Sequence, residues 1–279
     1  MDIPTITLNN NAVIPQIGLG VWRASDEEAE RAVLMAIDAG YRLIDTATVY
    51  QNERGVGRAI AATPVPREEL FITTKLWNSD QGYDQTLRAF DASLERLGID
   101  YVDLYLIHWQ MPKVGLYNET WRAFEKLYAD GKIRAIGVSN FDETHLTDLM
   151  ENGSVIPAVN QIEVHPDFQQ KQLRDFCAKH DIAVESWSPL GGSRSGNAVL
   201  QTDIIKSIAT KHGKTPAQIA LRWHIENNLI VIPKSVHEKR IKENIALFDF
   251  TLDPDDHAQI ATLDGDNRQG ADPATMNNY

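Results

Sequence analysis

Short apolar runs alternate with longer amphipathic stretches along most of the chain. The runs are rich in β-branched and aromatic residues and are typical of buried strands. The predicted strands cover residues 16–20, 43–45, 70–75, 102–108, 133–139, 159–163, 182–186 and 229–233. The stretches between them have helical periodicity. The predicted helices include residues 26–39, 52–61, 83–97, 118–129, 143–150, 169–180 and 217–227.

Eight strands that alternate with helices predict βα units and a parallel sheet. Eight such units in about 250 residues make a (β/α)8 TIM barrel, an α/β fold. A doubly wound open sheet is the competing architecture, and it carries a glycine-rich phosphate loop after its first strand. Here Gly18-Leu-Gly20 is followed by Val-Trp-Arg rather than by a third glycine that opens a helix. The pattern therefore favours the barrel.

The two ends of the chain add further elements. Residues 6–8 and 13–15 predict a β-hairpin, which in a barrel can close the N-terminal end. The polar tail 264–279 is expected to be an ordered loop or a mobile flap. We find no linker and no internal repeat, and we therefore expect a single domain of residues 1–279.

The composition narrows the class of protein. Of the 279 residues, 43% are hydrophobic and 24% are charged, which is ordinary for a globular chain. The 27 basic and 39 acidic residues give a net charge of −12, so nucleic acid is not an expected partner. The one cysteine, Cys177, cannot form an intramolecular disulfide and is expected to be a buried thiol. No secretory signal or membrane-spanning run is visible, so we expect a cytoplasmic protein that does not bind membranes.

Ionisable residues end three neighbouring predicted strands. Asp45, Lys75 and His108 end strands two, three and four, and Tyr50 lies in the loop after strand two. The C-terminal strand ends form the active-site face of a barrel, so the four side chains are expected to converge there.

These four residue types suit one half of a carbonyl reduction. A tyrosine titrates near pH 10, and a neighbouring ammonium lowers its pKa by stabilising the phenolate. A carboxylate can hold that ammonium in place, and a histidine can orient a carbonyl oxygen by a hydrogen bond. Such a group could donate a proton to a developing alkoxide. Spacing alone leaves the structural and the catalytic interpretations of these residues equally open.

A basic segment follows the last predicted strand. Residues 234–244 carry four basic and two acidic side chains, a local charge of +2 in a chain of −12. Barrels often bind phosphate at the loops after strands seven and eight. The segment therefore favours a phosphate site, and the alternative is a solvated helix face with paired charges.

Together these motifs resemble those of the aldo-keto reductases, from the hairpin through the basic segment. The matching segments are Gly40-Tyr-Arg-Leu-Ile-Asp45-Thr-Ala-Thr-Val-Tyr50, Thr74-Lys75-Leu-Trp77, Asp103-Leu-Tyr-Leu-Ile-His108-Trp109, Gly137-Val-Ser139-Asn140, Asn160-Gln161 and Ile232-Pro-Lys234-Ser235-Val236. Within that family, Trp187 and the short loops are most similar to the prokaryotic 2,5-diketo-D-gluconate reductases. The resemblance implies a TIM barrel that reduces a small aldehyde or ketone with NADPH, as a monomer that needs no metal.

The resemblance also implies a role for each candidate residue. Tyr50 would donate the proton, with Lys75 lowering its pKa and Asp45 pairing with Lys75, and His108 would orient the carbonyl group. At the nicotinamide, the resemblance implies that Ser139, Asn140 and Gln161 bind the carboxamide and that Trp187 stacks on the ring. Near the pyrophosphate it implies Ser188, Leu190 and Gly191. At the adenosine end it implies Lys234, Ser235 and Arg240 at the 2′-phosphate with Val236 beside them, and Glu243 and Asn244 at the adenine. The implied substrate residues are Trp22, Trp77, Trp109 and His108, with Asn78 as a polar neighbour.

Three positions depart from the family pattern. Gln51 stands where many relatives have glycine, which affects the loop beside Tyr50. Gln110 replaces a proline and affects the rim of the pocket. His237 can offer a second cation near the phosphate, which affects the preference for NADPH over NADH.

Two other functions remain open from the sequence. One is a nicotinamide-nucleotide-binding regulatory or sensor module of the same fold, with little turnover. The other is a metal-dependent barrel isomerase or hydrolase, for which no ligand cluster is visible in the sequence.

Overall fold

The computed structural model describes residues 3–192 and 196–278. Residues 1, 2, 193–195 and 279 lie outside this part. The first two residues and the last residue of the predicted domain 1–279, and the last residue of the predicted tail 264–279, are therefore outside the described residues. In the described residues a two-stranded hairpin precedes eight parallel strands. The strands are β1 (Thr5–Thr7), β2 (Val13–Pro15), β3 (Gly18–Gly20), β4 (Leu43–Asp45), β5 (Phe71–Leu76), β6 (Val102–Ile107), β7 (Ile133–Ser139), β8 (Val159–Glu163), β9 (Ala183–Trp187) and β10 (Ile230–Val231).

The parallel strands close into a barrel. Their order runs from β3 to β10, and each strand pairs with the next one along the chain. The two edges then meet, because Ile17 forms a parallel bridge with Val231 and Gly20 forms one with Lys234. Across this seam the amide of Val231 donates to the carbonyl oxygen of Gln16 at 3.0 Å. The predicted TIM barrel is confirmed, and each predicted strand is present with its ends displaced by two residues or fewer.

Helices follow the strands in the predicted βα order. In the described chain they are α1 (Asp26–Asp38), α2 (Glu53–Ala62), α3 (Tyr83–Leu97), α4 (Tyr117–Ala129), α5 (Glu143–Asn152), α6 (Lys171–Lys179), α7 (Asp203–His212), α8 (Pro216–Glu226), α9 (Glu238–Ile245) and α10 (Pro254–Ala261). The predicted helices match α1 to α6 and α8. The helices α7, α9 and α10 are not among the predicted helices, although the basic segment that contains α9 has a helix face as its alternative interpretation. No helix within this part of the chain has the length and apolarity to cross a bilayer.

Capping residues fix where two of these helices begin. The side chain of Ser25 accepts from the amide of Glu28, and the Glu28 carboxylate accepts in return from the amide of Ser25, which completes the predicted capping box of α1. Thr215 and Gln218 form the same arrangement at α8, where Pro216 is the first helical residue. Each cap satisfies amides that the first helical turn leaves without partners.

The N-terminal hairpin closes one end of the barrel. β1 and β2 pair antiparallel, with Ile6 opposite Ile14. Leu8 and Ile14 are buried in one cluster with Leu43 and Phe71, the first residues of β4 and β5. This apolar plug lies at the N-terminal strand ends, so polar groups collect at the opposite end of the barrel.

Candidate active site

A buried lysine lies at the centre of the polar end of the barrel. Lys75 belongs to β5 and has no exposed surface. Its Nζ is 2.6 and 2.8 Å from the two carboxylate oxygens of Asp45 and 3.0 Å from the carbonyl oxygen of Thr46. The hydroxyl oxygen of Tyr50 is 3.4 Å from the same nitrogen. Lys75 therefore connects the carboxylate with the tyrosine.

The strands and one short turn bring these groups together. β4 and β5 pair in parallel with Asp45 opposite Thr73. Alternate residues of a strand share a face, so Thr73 and Lys75 both face the barrel interior. The 3-10 turn Thr48–Tyr50 follows β4 and carries the tyrosine to the same place. Gln51 ends that turn with a φ of 57°, a left-handed conformation that glycine adopts more easily, so the turn forms here without the glycine.

His108 follows β6 and packs among aromatic rings. Its ring centroid lies 5.8 Å from that of Tyr50, 5.2 Å from that of Trp77 and 6.5 Å from that of Trp109. Burial, and then the charge of Lys75, lowers the pKa of His108 well below its usual range. The imidazole is therefore neutral at neutral pH and can orient a carbonyl oxygen as a hydrogen-bond donor.

Opposing effects act on the hydroxyl of Tyr50. Burial raises its pKa, the ammonium of Lys75 lowers it, and the carboxylate of Asp45 raises it. Lys75 lowers the pKa of Tyr50, as the sequence predicts, but the net pKa shift is upward because burial is the largest cause. Burial lowers the pKa of Lys75, but Asp45 and Tyr50 outweigh burial and raise it. At neutral pH Tyr50 keeps its proton and Lys75 keeps its charge.

Gln161, in β8, extends the network around Lys75. Its Nε2 donates to Asp45 Oδ2 at 2.8 Å and to Glu185 Oε2 at 2.7 Å. Its backbone carbonyl oxygen accepts from the hydroxyl of Ser139 at 2.8 Å. All of these side chains are buried, so their charges and dipoles interact in surroundings of low polarity.

Trp187 forms a flat wall beside this network. Its indole N–H donates to Asn140 Oδ1 at 2.9 Å. The C-terminal tail packs against the indole, because a Cβ at Gly270 would lie only 2.2 Å from a ring carbon of Trp187. The carboxylate of Glu163 holds the tail there by accepting from the amides of Gln269 and Gly270 at 2.7 and 2.9 Å. A glycine is required at 270 for this close approach.

The polar end of the barrel opens into a cavity of about 400 Å³. This volume lies within the usual range for small-molecule sites. The predicted residues that line the cavity are Trp22, Asp45, Tyr50, Trp77, His108, Trp109, Ser139, Asn140, Gln161, Trp187, Ser188 and Lys234. The predicted residues outside the lining are Lys75, Asn78, Leu190, Gly191, Ser235, Val236, Arg240, Glu243 and Asn244.

The turn after β9 and the start of α9 carry the remaining cofactor candidates. Gly191 has a φ of 85°, as expected for a tight turn that glycine permits. Lys234 and Arg240 are exposed and available to an anion. The hydroxyl of Ser235 is occupied locally, since it accepts from the amide of His237 at 3.1 Å.

Two candidates for the adenine site lie at the end of the same helix. Asn244 is buried in α9. Glu243 is half-buried, and its Oε1 accepts from the hydroxyl of Thr215 at 2.8 Å. The carboxylate of Glu243 is thus already tied to the start of α8.

The C-terminal tail engages two side chains at the pocket rim. Asn78 Nδ2 donates to the carbonyl oxygen of Asn278 at 2.7 Å, and Gln110 Nε2 donates to that of Pro273 at 2.9 Å. The sequence places Asn78 beside the substrate, but in the structure Asn78 is buried under the tail. The tail supplies the hydrogen-bond acceptor that its buried amide nitrogen needs. Residues 264–278 of the tail contain no helix or strand and pack on the pocket rim through these contacts.

Comparison with known proteins decides the family. A model of the Aldo/keto reductase family matches residues 16–264. The chain belongs to this family. An aldo-keto reductase of Mycolicibacterium smegmatis is 55% identical over 274 residues, which cover 98% of each chain.

Two further relatives of this aldo/keto reductase bear on its chemistry. Methylglyoxal reductase DkgA of Salmonella typhimurium is 50% identical over 274 residues, 98% of each chain. A Gox0644 variant, solved in complex with NADPH, has a TM-score of 0.94 and 49% identity, and the match covers 99% of each chain. The predicted family, barrel and oxidoreductase class are confirmed, and the predicted cofactor is confirmed at the level of the family.

Two groups of residues at the site of this aldo/keto reductase are not among those that the sequence predicts. The first comprises tail residues that line the cavity, Gln269, Gly270, Ala271 and Met276, together with Arg23 near the mouth. The second is Glu185, the partner of Gln161. An acidic residue at an inward position of a strand is a signal that could have found Glu185, because alternation places it with Ala183 and Trp187.

Other candidate ligands and nucleophiles play no part in this site. Within residues 3–192 and 196–278, no group of three or more His, Cys, Asp or Glu side chains could hold a metal ion. His224 is buried, and its ring nitrogens face the carbonyl oxygens of Ala220 and Val164. Cys177 is buried as expected, and burial raises the pKa of its thiol to about 11, so it is not a thiolate at neutral pH.

Proposed function

We propose that this aldo/keto reductase reduces a small carbonyl compound with NADPH and that Tyr50 donates the proton. The observation that carries the proposal is the position of Lys75, whose buried Nζ joins Asp45 to the Tyr50 hydroxyl beside an aromatic cavity. A buried ammonium that is paired with a carboxylate keeps its charge and can stabilise a neighbouring anion.

Each of the four residues has a separate task in this mechanism. Bound NADPH supplies the hydride that the carbonyl carbon accepts. Neutral His108 donates a hydrogen bond to the carbonyl oxygen and orients it. As negative charge develops on that oxygen, Tyr50 donates its proton to it. Lys75 stabilises the phenolate that remains, and Asp45 holds Lys75 in place.

The cavity wall suits a nicotinamide nucleotide. Trp187 offers a flat surface for the nicotinamide ring; Asn140 holds its indole N–H, and the tail packs against its six-membered ring. Ser139, Asn140 and Gln161 would hold the carboxamide, and the turn of Ser188, Leu190 and Gly191 would approach the pyrophosphate. The remaining proposed contacts are Lys234, Ser235, Val236 and Arg240 at the 2′-phosphate, and Glu243 and Asn244 at the adenine.

The substrate we propose is a small dicarbonyl compound, and of this class a keto acid such as 2,5-diketo-D-gluconate. One relative is named a methylglyoxal reductase, which supports the dicarbonyl class. Arg23 lines the cavity, and its guanidinium lies 4.2 Å from the ring centroid of Trp22. A cation at the mouth favours a substrate with a carboxylate. Trp22, Trp77 and Trp109 would frame the rest of the substrate.

The test follows the loss of NADPH absorbance with methylglyoxal and with 2,5-diketo-D-gluconate. We expect turnover with both, and we expect Arg23→Gln to raise KM for the keto acid about threefold or more while KM for methylglyoxal stays unchanged. Arg31→Gln, an exposed position on α1, is the matched control. An equal effect of Arg23→Gln on both substrates would contradict the keto-acid preference.

The same assay separates the reductase from the two alternative functions. NADPH binding without turnover on any carbonyl would favour the regulatory or sensor module over the reductase. Loss of turnover on addition of a chelator would favour a metal enzyme.

We further propose that residues 1–279 act as one domain in a cytoplasmic monomer that binds neither nucleic acid nor membranes. Sedimentation velocity at micromolar concentration tests the monomer, and a dimer would contradict it.

A further inference from the structure

Glu185 is a buried carboxyl group that the proposed mechanism does not use. It lies in β9, has no exposed surface and faces the barrel interior. Its Oε2 accepts from Gln161 Nε2 at 2.7 Å, while its Oε1 has no hydrogen-bond partner among the described residues. Burying a polar atom without a partner costs free energy, so its presence needs a reason.

A single amide nitrogen connects Glu185 with the group around Lys75. Gln161 Nε2 directs one N–H to Asp45 and the other to Glu185. Because both acceptors lie on the nitrogen side, the amide has one favourable orientation. Its Oε1 must then point away from the two carboxyl groups. Gln161 also lines the cavity, so this oxygen is the end that a ligand in the cavity meets.

The charges around Glu185 favour its neutral form. Asp45 and Lys75 already form a buried ion pair, so a second carboxylate would leave a net negative charge inside the barrel. Burial, and then repulsion by Asp45, raises the pKa of Glu185 to about 8. At neutral pH the group is therefore a carboxylic acid. Since Oε2 accepts the hydrogen bond from Gln161, the proton belongs on Oε1.

On the basis of the proposed function, we infer that Glu185 is a positioning residue for the cofactor. Together with Asp45 it holds the amide of Gln161 by its nitrogen and so presents Gln161 Oε1 to the nicotinamide carboxamide. This oxygen can accept a hydrogen bond from the carboxamide NH2 group. A reversed amide would place two N–H donors against that NH2 group instead.

Ionisation of Glu185 should change the binding of the oxidised and the reduced nucleotide by different amounts. The oxidised nicotinamide ring carries a positive charge and the reduced ring carries none. When Glu185 loses its proton, a negative charge appears next to Gln161, and it favours the oxidised form. The ratio of the NADPH dissociation constant to that of NADP+ should therefore rise with pH. Both nucleotides carry the same phosphates, so phosphate titration cancels in this ratio.

Three titratable groups near Glu185 keep their protonation states over the useful pH range. The charged or titratable groups that face Glu185 and Gln161 are Asp45, Lys75 and Tyr50. The pKa values of Tyr50 and Lys75 are raised above their ordinary values, and that of His108 lies well below 6.5. Between about pH 6.5 and about pH 9.5 Tyr50, Lys75 and His108 therefore keep their protonation states while Glu185 ionises. Burial lowers the pKa of His165, but its hydrogen bonds to Asp167 and Glu163 outweigh burial and raise it; its ring faces these two carboxylates and not Glu185.

The experiment measures both dissociation constants by quenching of tryptophan fluorescence across this pH range. In the wild type we expect the ratio to rise about tenfold. In Glu185→Gln the side chain is neutral at every pH but still accepts from Gln161, so we expect a constant ratio and NADPH affinity within about twofold of wild type at pH 7. In Glu185→Leu the acceptor is gone, and we expect NADPH affinity to fall about fivefold.

The matched control is Ser186→Ala, the next residue of the strand. Its hydroxyl is also buried without a partner, but it faces the other side of the strand and should behave as the wild type does. A ratio that rises with pH in Glu185→Gln as in the wild type would overturn the inference. An NADPH affinity in Glu185→Leu equal to that of the wild type would also overturn the inference. If Glu185→Leu does not fold, the ratio of the two dissociation constants in Glu185→Gln decides. A wild type that binds neither nucleotide would overturn the proposed function itself.

Discussion

At the residue scale, the proposed catalysis depends on the charge of Lys75, which can be buried because it is paired. Lys75 has no exposed surface, and its Nζ contacts Asp45, the carbonyl oxygen of Thr46 and the hydroxyl of Tyr50. It affects the charge state of the first and the last of these groups. It neutralises Asp45 and opposes the effect of burial on Tyr50. Removing one member of such a buried pair leaves the other charge without compensation.

We predict that Lys75→Met lowers both activity and stability. Loss of the ammonium should lower kcat about 100-fold or more, because the phenolate of Tyr50 loses its stabilising charge. The unpaired Asp45 should lower the free energy of unfolding by about 3–5 kcal/mol, measured by urea denaturation. Lys126→Met removes an exposed pair with Asp130 that solvent screens, and it should leave the free energy of unfolding nearly unchanged. Wild-type kcat in Lys75→Met would contradict the role given to the lysine.

The four candidate residues could be located from the sequence because each stands at the end of a strand or in the segment that follows one. Parallel strands of a barrel place those ends together, so Asp45, Lys75 and His108 need no further information to be grouped. The net pKa shift of Tyr50 could not be predicted in this way, because burial is a property of the whole fold. Glu185 is different, because strand alternation places this acidic residue on the inward face with Ala183 and Trp187 and could have indicated it from the sequence.

At the scale of elements, the sequence predicts the strands and the helix starts but not the contacts of the C-terminal tail. Apolar runs and capping residues specify β4 to β9 and the start of α1, since these depend on neighbours in the chain. The tail from Asp264 contacts residues about a hundred positions away. Glu163 accepts from the amide of Gly270, 107 positions further on, and no local pattern indicates that pairing.

We predict that Gly270→Ala weakens cofactor binding. The added Cβ would lie 2.2 Å from a ring carbon of Trp187, so either the tail or the indole must move. Overpacking of this kind commonly costs about 1–3 kcal/mol, and we expect the dissociation constant of NADPH to rise about tenfold. Fluorescence titration measures it.

The control for this prediction is another glycine of the same tail. At Gly265 an added Cβ would approach the side-chain amide of Asn267 at 3.1 Å, and that side chain can move. Gly265→Ala should therefore bind NADPH as the wild type does. Equal affinities of the Gly270 and Gly265 variants would mean that the tail does not support the indole.

At the scale of the whole molecule, a basic patch stands out on an acidic protein. The chain has a net charge of −12, yet Lys234 and Arg240 lie exposed after the last strand of the barrel. The overall charge repels an anionic nucleotide, so local cations must supply the attraction. This arrangement favours a nucleotide that carries an additional phosphate.

We predict that Arg240→Ala acts on NADPH and not on NADH. The variant should raise KM for NADPH about tenfold and leave KM for NADH within about twofold, because only NADPH has the 2′-phosphate. The difference should shrink as salt rises, since exposed charges are screened. Arg122→Ala, exposed on α4, is the control. An equal increase in KM for both nucleotides would place Arg240 elsewhere than at the 2′-phosphate.

The most direct test of the account is Tyr50→Phe, which removes the proton donor and keeps the ring. We would measure kcat for methylglyoxal and the dissociation constant of NADPH in the variant and the wild type. The account predicts a kcat lower by about 100-fold to 10,000-fold, with NADPH affinity within about twofold of wild type. A variant that binds NADPH and turns over at the wild-type rate would contradict it, because another group would then supply the proton.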